Sequence, residues 1–324
     1  TESRVLIFYL RLFLLPSNGA LSLFHDDFSI SRSLFDPPST ALALIALAAI
    51  SILAWLIRNR FPEVGFAWGW FLIAHSLEST VFALELVHEH RNYFATIGLI
   101  FLLPIALLRV EKTELRRLFV LLLAGYLGLL SFVMHVRALQ WSNHVDWAAL
   151  EAYNHPLSPR ATYELARIYM VLMETTDEAR YGELADRALK DSTRAISPGV
   201  LPFVARIQLA YFRNLEPEAG LVTAVKDGFA NWPYRPVNTA TLNSLVTCQV
   251  DGRCKLPDAQ ALEILDAALR NPRISKEDRA EVMKLVAQYR INRLNDLTGG
   301  IELVREAIQL YEKPESRIMF AQCL

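Results

Sequence analysis

At 324 residues, with 53% hydrophobic residues and a mean hydropathy of +0.24, the chain is too apolar for an ordinary soluble protein. Its net charge of −1 leaves no concentrated Lys/Arg surface, which excludes nucleic acid as a partner. The apolar excess lies before residue 140, so two all-α domains are expected: a polytopic transmembrane helix bundle over 1–140 and a helical array over 141–324.

The chain opens on Thr1 rather than Met and runs straight into apolar sequence without a signal-peptide pattern, so residues upstream of Thr1 are expected. The first stretch, Val5 to Leu15, contains Arg11 and stops at Pro16; it reads as a span, a truncated span or an interfacial helix. The following LFHDDFS segment carries Asp26 and Asp27, either an acidic element of a site or solvated loop carboxylates. Four segments then reach the roughly 20 apolar residues that a bilayer demands: 40–57, 64–86, 93–109 and 116–136.

Lys and Arg in short loops stay on the cytoplasmic side. Arg58 and Arg60 lie in one loop, and Arg109, Lys112, Arg116 and Arg117 flank another at that same end. The opposite loops carry only Arg32 and Arg91, so Asp26, Asp27 and everything after residue 140 are expected on the periplasmic or luminal side. An integral protein of the bacterial inner membrane fits this pattern.

Ionisable residues inside a span are costly, at about 2.5 to 3.5 kcal/mol each on insertion scales. On one continuous helix, His75, Glu78, Glu85 and Glu89 fall within about 80° of arc, which predicts a polar track ending at the HEHRNY loop with His88, His90 and Arg91. The alternative is an interhelical hydrogen-bond network with snorkelling at the interface. A metal site is not expected there, since His88 and His90 at i and i+2 of a helix point apart and no third ligand lies nearby.

Beyond residue 140, Pro159, Pro198, Pro233, Pro272 and Pro314 recur at intervals of 35 to 42 residues, near the 34-residue tetratricopeptide period. The clearest unit is DAQALEILDAALRNP, residues 258–272. Its small Ala261 and Ala267 allow close helix approach, and Leu262, Ile264, Leu265 and Leu269 fill the seam. A tetratricopeptide-like α-solenoid is expected, with a Sel1-like or HEAT-like array as the alternative. Either offers a groove for a protein or peptide partner. Cys248 and Cys254 bracket a short turn and are expected to form a disulfide in an oxidising compartment, or else to be buried free thiols; Cys323 is unassigned.

A short apolar helix ending before Pro16, a loop with DDF, a Gly-Trp-Phe-rich span, HEHRNYFATIG and a repeat domain follow one another in this order. In that order they resemble the C-terminal half of the transmembrane and tetratricopeptide-repeat protein O-mannosyltransferases and their bacterial relatives. The most specific piece is EHRNYFATIG, residues 89–98, similar to that family's E-R/H-R-x-Y-L-P-S-I-G signature, with Phe94, Ala95 and Thr96 in place of Leu-Pro-Ser. The resemblance implies a GT-C glycosyltransferase that moves a sugar from a polyprenyl-phosphate carrier to a protein hydroxyl on the non-cytoplasmic face.

The catalytic acid of such enzymes lies in the first external loop, so it is expected upstream of Thr1, with Asp26 and Asp27 as the candidates within the chain. Arg91 is the candidate for the carrier phosphate, since a guanidinium matches phosphate geometry. Glu89 would orient it or bind a divalent cation, His90 would join the donor site, and Tyr93 would anchor the loop at the interface. A non-enzymatic membrane scaffold whose repeats recruit a partner complex is the rival reading. A transporter fits less well, for want of inverted repeats.

Overall fold

The computed structural model describes residues 1–76, 86–195 and 197–311. Those residues form fourteen α-helices and divide into two compact units, Thr1–Ser158 and Pro159–Leu324.

In the first unit, α1 (Glu2–Leu14) is 13 residues long, about 20 Å at 1.5 Å per residue. Val5, Tyr9 and Leu12 on one face are buried in a cluster with Ala54, Trp68, Phe71, Val87 and Ala95, so α1 is a packing helix of the unit. Helices α2 (Ser39–Ile57), α4 (Asn92–Arg109) and α5 (Thr113–Trp141) are long and apolar enough to cross a membrane. Between α2 and α4 lies α3 (Pro62–Ser76); the rest of the expected 64–86 span, with Glu78 and Glu85, falls on residues 77–85, outside the described residues.

Trp68 of α3 donates its indole N–H to Ser51 Oγ of α2 at 2.9 Å. Helix α4 approaches α3 closely at Gly98, where a Cβ would stand 3.0 Å from Trp70 Cδ1 and 3.1 Å from the Ala67 carbonyl. The junctions α2–α3 and α4–α5 gather the basic residues at one end. Arg109 pairs with Glu63 at 2.9 Å, donates to the Arg60 carbonyl at 3.1 Å, and lies over the Phe61 ring.

Helix α6 (His144–Asn154) is capped by Asn143, whose side chain accepts from the Val145 and Asp146 N–H groups. The first unit thus extends beyond the expected boundary at residue 140. The reason is polar: buried Glu151 of α6 and His155 just after it are bonded to the loop between α1 and α2.

The second unit is a succession of helix pairs: α7 (Pro159–Thr176) with α8 (Ala179–Thr193), α9 (Leu201–Phe212) with α10 (Leu221–Asn231), α11 (Pro236–Val250) with α12 (Asp258–Leu269), and α13 (Lys276–Leu294) with α14 (Leu297–Leu310). Helices pack against elements one or two places along the chain: α7 on α8 and α9, α9 on α10 and α11, α10 on α12, α11 on α13. Pro198, Pro233 and Pro272 fall between the pairs, where a residue without an N–H ends one helix and admits the next.

The core runs from Val204, Ile207, Val225 and Phe229 through Leu242, Leu245 and Ile264 to Val282 and Tyr289. Within α12, Ala261, Ile264, Leu265 and Ala267 are buried and Leu262 and Leu269 pack against that core. Asn271 just after α12 is fully buried and donates to the Phe229 and Trp232 carbonyls at 2.7 and 2.9 Å, tying the α12 end to the α10 end.

Cys248 at the end of α11 and Cys254 in the following turn are joined by a disulfide, their Cα atoms 5.2 Å apart. Residues 312–324, with Pro314 and Cys323, lie outside the described residues.

Candidate functional site

The chemistry-bearing side chains of the first unit converge on residues 21–28, a stretch with no regular structure that is held by side chains from α5, α6 and the turn before α4. Ser22 is the pivot. Its N–H donates to Glu89 Oε1, its hydroxyl to Glu151 Oε2, and its oxygen accepts the Phe24 N–H at 3.1 Å. Glu151 also accepts the Leu23 N–H at 3.0 Å, and it is only 3% exposed. A carboxylate that deep is tolerated because it accepts hydrogen bonds from two loop residues.

Glu89 sits in a single 3-10 turn, Glu89–Arg91, after an extended His88. Residues 86–88 are not helical, so Glu89 does not share one continuous helix with His75 of α3 and is re-aimed by the turn; Glu78 and Glu85 of the expected face lie outside the described residues. The Glu89 carboxylate lies 3.6 Å from His25 Nε2 and 3.7 Å from Arg137 Nη2. Arg137, near the C-terminus of α5, also donates to the Leu21 carbonyl and lies over the Trp141 ring. The same turn brings the His88 and His90 rings to 4.1 Å from each other; spacing on a helix had predicted them pointing apart.

Asp27 and Asp26 are engaged as well. His155 Nδ1 donates to Asp27 Oδ2 at 3.0 Å, and the buried Ser158 hydroxyl donates to Asp26 Oδ1 at 2.5 Å. His25 meets His155 edge to face, ring centres 5.3 Å apart, and meets Phe8 of α1 in the same way at 5.5 Å. The hydrogen bond to Asp27, reinforced by the charges of Asp27, Glu151 and Asp26, raises the His155 pKa above the ordinary imidazole value; burial opposes this and is outweighed.

On the far side of Glu89, Tyr9 closes the turn. Its hydroxyl accepts the His88 N–H at 2.9 Å and donates to the His88 carbonyl at 3.1 Å, while its ring stacks on His75 at 5.2 Å. Asn92 donates to the Tyr9 carbonyl at 3.2 Å.

Asp26, Asp27 and Glu89 are thus brought into one network. His90 and Tyr93 are exposed, Tyr93 at 77%, and Arg91 is half-buried at the end of the turn. Glu78 and Glu85 lie outside the described residues. Sequence reasoning missed Ser22, Arg137, Glu151 and His155. Arg137 had a signal, a cation near the end of an apolar 29-residue helix, and so had Glu151, a carboxylate on the buried side of α6. Among the described residues, no group of three or more His, Cys, Asp or Glu side chains is arranged to hold a metal ion.

Among the described residues, fold and network together define an all-helical protein with three helices long and apolar enough to cross a membrane, an acid–imidazole cluster in one unit, and a second unit of packed helix pairs. Comparison with protein-family models, with curated proteins and with solved structures finds no match.

Proposed function

We propose that the chain is the C-terminal part of a membrane glycosyltransferase that transfers a sugar from a polyprenyl-phosphate carrier to a protein hydroxyl on the non-cytoplasmic face. The observation that carries this reading is that Glu89, held by Ser22, His25 and Arg137, and the loop carboxylates Asp27 and Asp26, held by His155 and Ser158, meet in one network, on segments that the resemblance singles out. The basic residues gathered around Arg109 support a cytoplasmic location for the other end of the spans.

A sugar transfer needs a base for the acceptor hydroxyl and a cation for the leaving phosphate. Asp26, whose residue is exposed, is the nearest candidate base in this chain, and Arg91 and Arg137 are the candidate cations. Tyr93 anchors the turn at the interface, with His90 beside it. The helix pairs of the second unit act as tetratricopeptide-type repeats that hold the acceptor, exposed to the periplasm or lumen, where the Cys248–Cys254 disulfide is stable.

A second reading, a non-enzymatic membrane scaffold recruiting a partner complex, is favoured by one observation. The carboxylates of the network are engaged by Arg137, His155, Ser158 and Ser22, as in a structural clasp. Glycosylation of the cell's acceptor protein in strains carrying Arg91→Ala or Asp26→Asn, each checked for normal membrane level, separates the two. The enzyme reading expects loss of glycosylation in both. Unchanged glycosylation removes these residues from the mechanism, and retained partner capture then favours the scaffold.

A further inference from the structure

A buried and a half-buried imidazole sit at the centre of the network, His25, 8% exposed, and His155, and neither Nε2 has a hydrogen-bond partner among the described residues. Their surroundings are acidic. His155 faces Asp27, with Asp26 and Glu151 close by, while His25 faces Glu89, itself shared with Arg137 of α5; from α1 it is the Phe8 ring that meets His25. Each imidazole links residues 17–38 to another segment, His155 from the end of α6 through Asp27, and His25 towards the Glu89 turn. The segment so held carries both Asp26 and Asp27.

We propose that His155 is a proton-operated latch: protonated, it clamps residues 17–38 to the end of α6 through Asp27, and the clamp slackens as it loses its proton. A protonated His155 turns its contact with Asp27 into an ion pair with a partly buried carboxylate, where the charge is little screened. The raised pKa of His155 is consistent with the clamped form. By linkage, the stabilisation is fully present below the ordinary imidazole range and is lost as pH rises through the raised value. The latch stands or falls independently of the sugar-transfer reading, since it concerns only what holds the segment in place.

The loop supplies its own reporters, because the amides of Ser22, Leu23, Phe24 and Phe28 are each hydrogen-bonded in the closed arrangement. Amide hydrogen exchange of the whole chain in lipid nanodiscs, corrected for the intrinsic pH dependence of exchange, reads them directly. The expected result is a fall in loop protection of about tenfold between about pH 5.5 and about pH 8.5, which is about 1.4 kcal/mol in the opening equilibrium. Amides of α13 should stay constant. The variant His155→Gln keeps hydrogen-bonding capacity at that position without a titrating group, and its loop protection should be independent of pH. A flat profile in the wild-type chain overturns the latch whatever the variant does. So does a fall that α13 shares, or one that persists in the His155→Gln variant.

Discussion

The two units solve opposite solvation problems with similar helices. In the second, the apolar face of each helix is turned inwards: Ile207, Phe229, Leu242 and Ile264 are fully buried. In the first, α5 has no buried residue among those described, and Leu121, Leu122, Phe132 and Met134 are between 64 and 73% exposed. Inside this unit, the polar network of Ser22, Glu89, Glu151 and Asp27 lies in addition to the apolar cluster around Phe71. Apolar exposure on helices long and apolar enough to cross a membrane, and apolar burial in the second unit, are what one rule requires of hydrocarbon and of water: each side chain seeks the medium it matches.

The largest test of this contrast is Phe229→Ala in the second unit, expected to cost about 3 to 5 kcal/mol in chemical denaturation, from lost transfer energy plus a cavity. Next is Leu122→Arg in α5, expected to lower membrane insertion by about 2.5 to 3.5 kcal/mol in a translocon insertion assay. The same substitution at exposed Val171 of α7 should change stability by less than about 0.5 kcal/mol. Equal costs at the two positions would break the comparison, since Val171 faces water on this account and Leu122 does not.

Replacing Cys248 and Cys254 together by Ser should lower the stability of the second unit by about 2 kcal/mol through the chain entropy released in a short loop, seen as a reduced Tm that matches the reduced wild type. Gly98→Ala should cost about 1 to 3 kcal/mol, because its methyl group meets Trp70 and the Ala67 carbonyl. Thermal unfolding in detergent, followed by Trp fluorescence, would register it. A small effect is also expected from Leu121→Ala, below about 1 kcal/mol, because lipid replaces the lost contacts. A cost as large as that of Phe229→Ala would mean that protein, not lipid, covers α5.

Much of the helical framework was legible because its signals are local. The runs at 40–57, 93–109 and 116–136 are read from length and hydropathy alone, and they correspond to α2, α4 and α5. The seam residues of α12 follow from helical period. The site was legible only in part. Asp26, Asp27 and Glu89 stand out as charges beside apolar sequence, but nothing near them names a partner. Treating His75 to Glu89 as one helix failed because no periodicity argument reveals that the chain leaves the helix before His88 and re-enters it through a 3-10 turn.

By itself, then, the sequence determined which segments are helical, which are apolar enough for hydrocarbon, and where prolines separate the pairs of the second unit, since each of these depends on neighbours within a turn or two. Only the tertiary structure decided that Glu89 is met by Arg137 and His25, that Asp27 is met by His155, and that Glu151 is buried against Ser22. Those partners come from separate helices and loops. Buried polar groups must be satisfied by whatever the topology brings within about 3 Å, and that distance is not encoded in any local pattern.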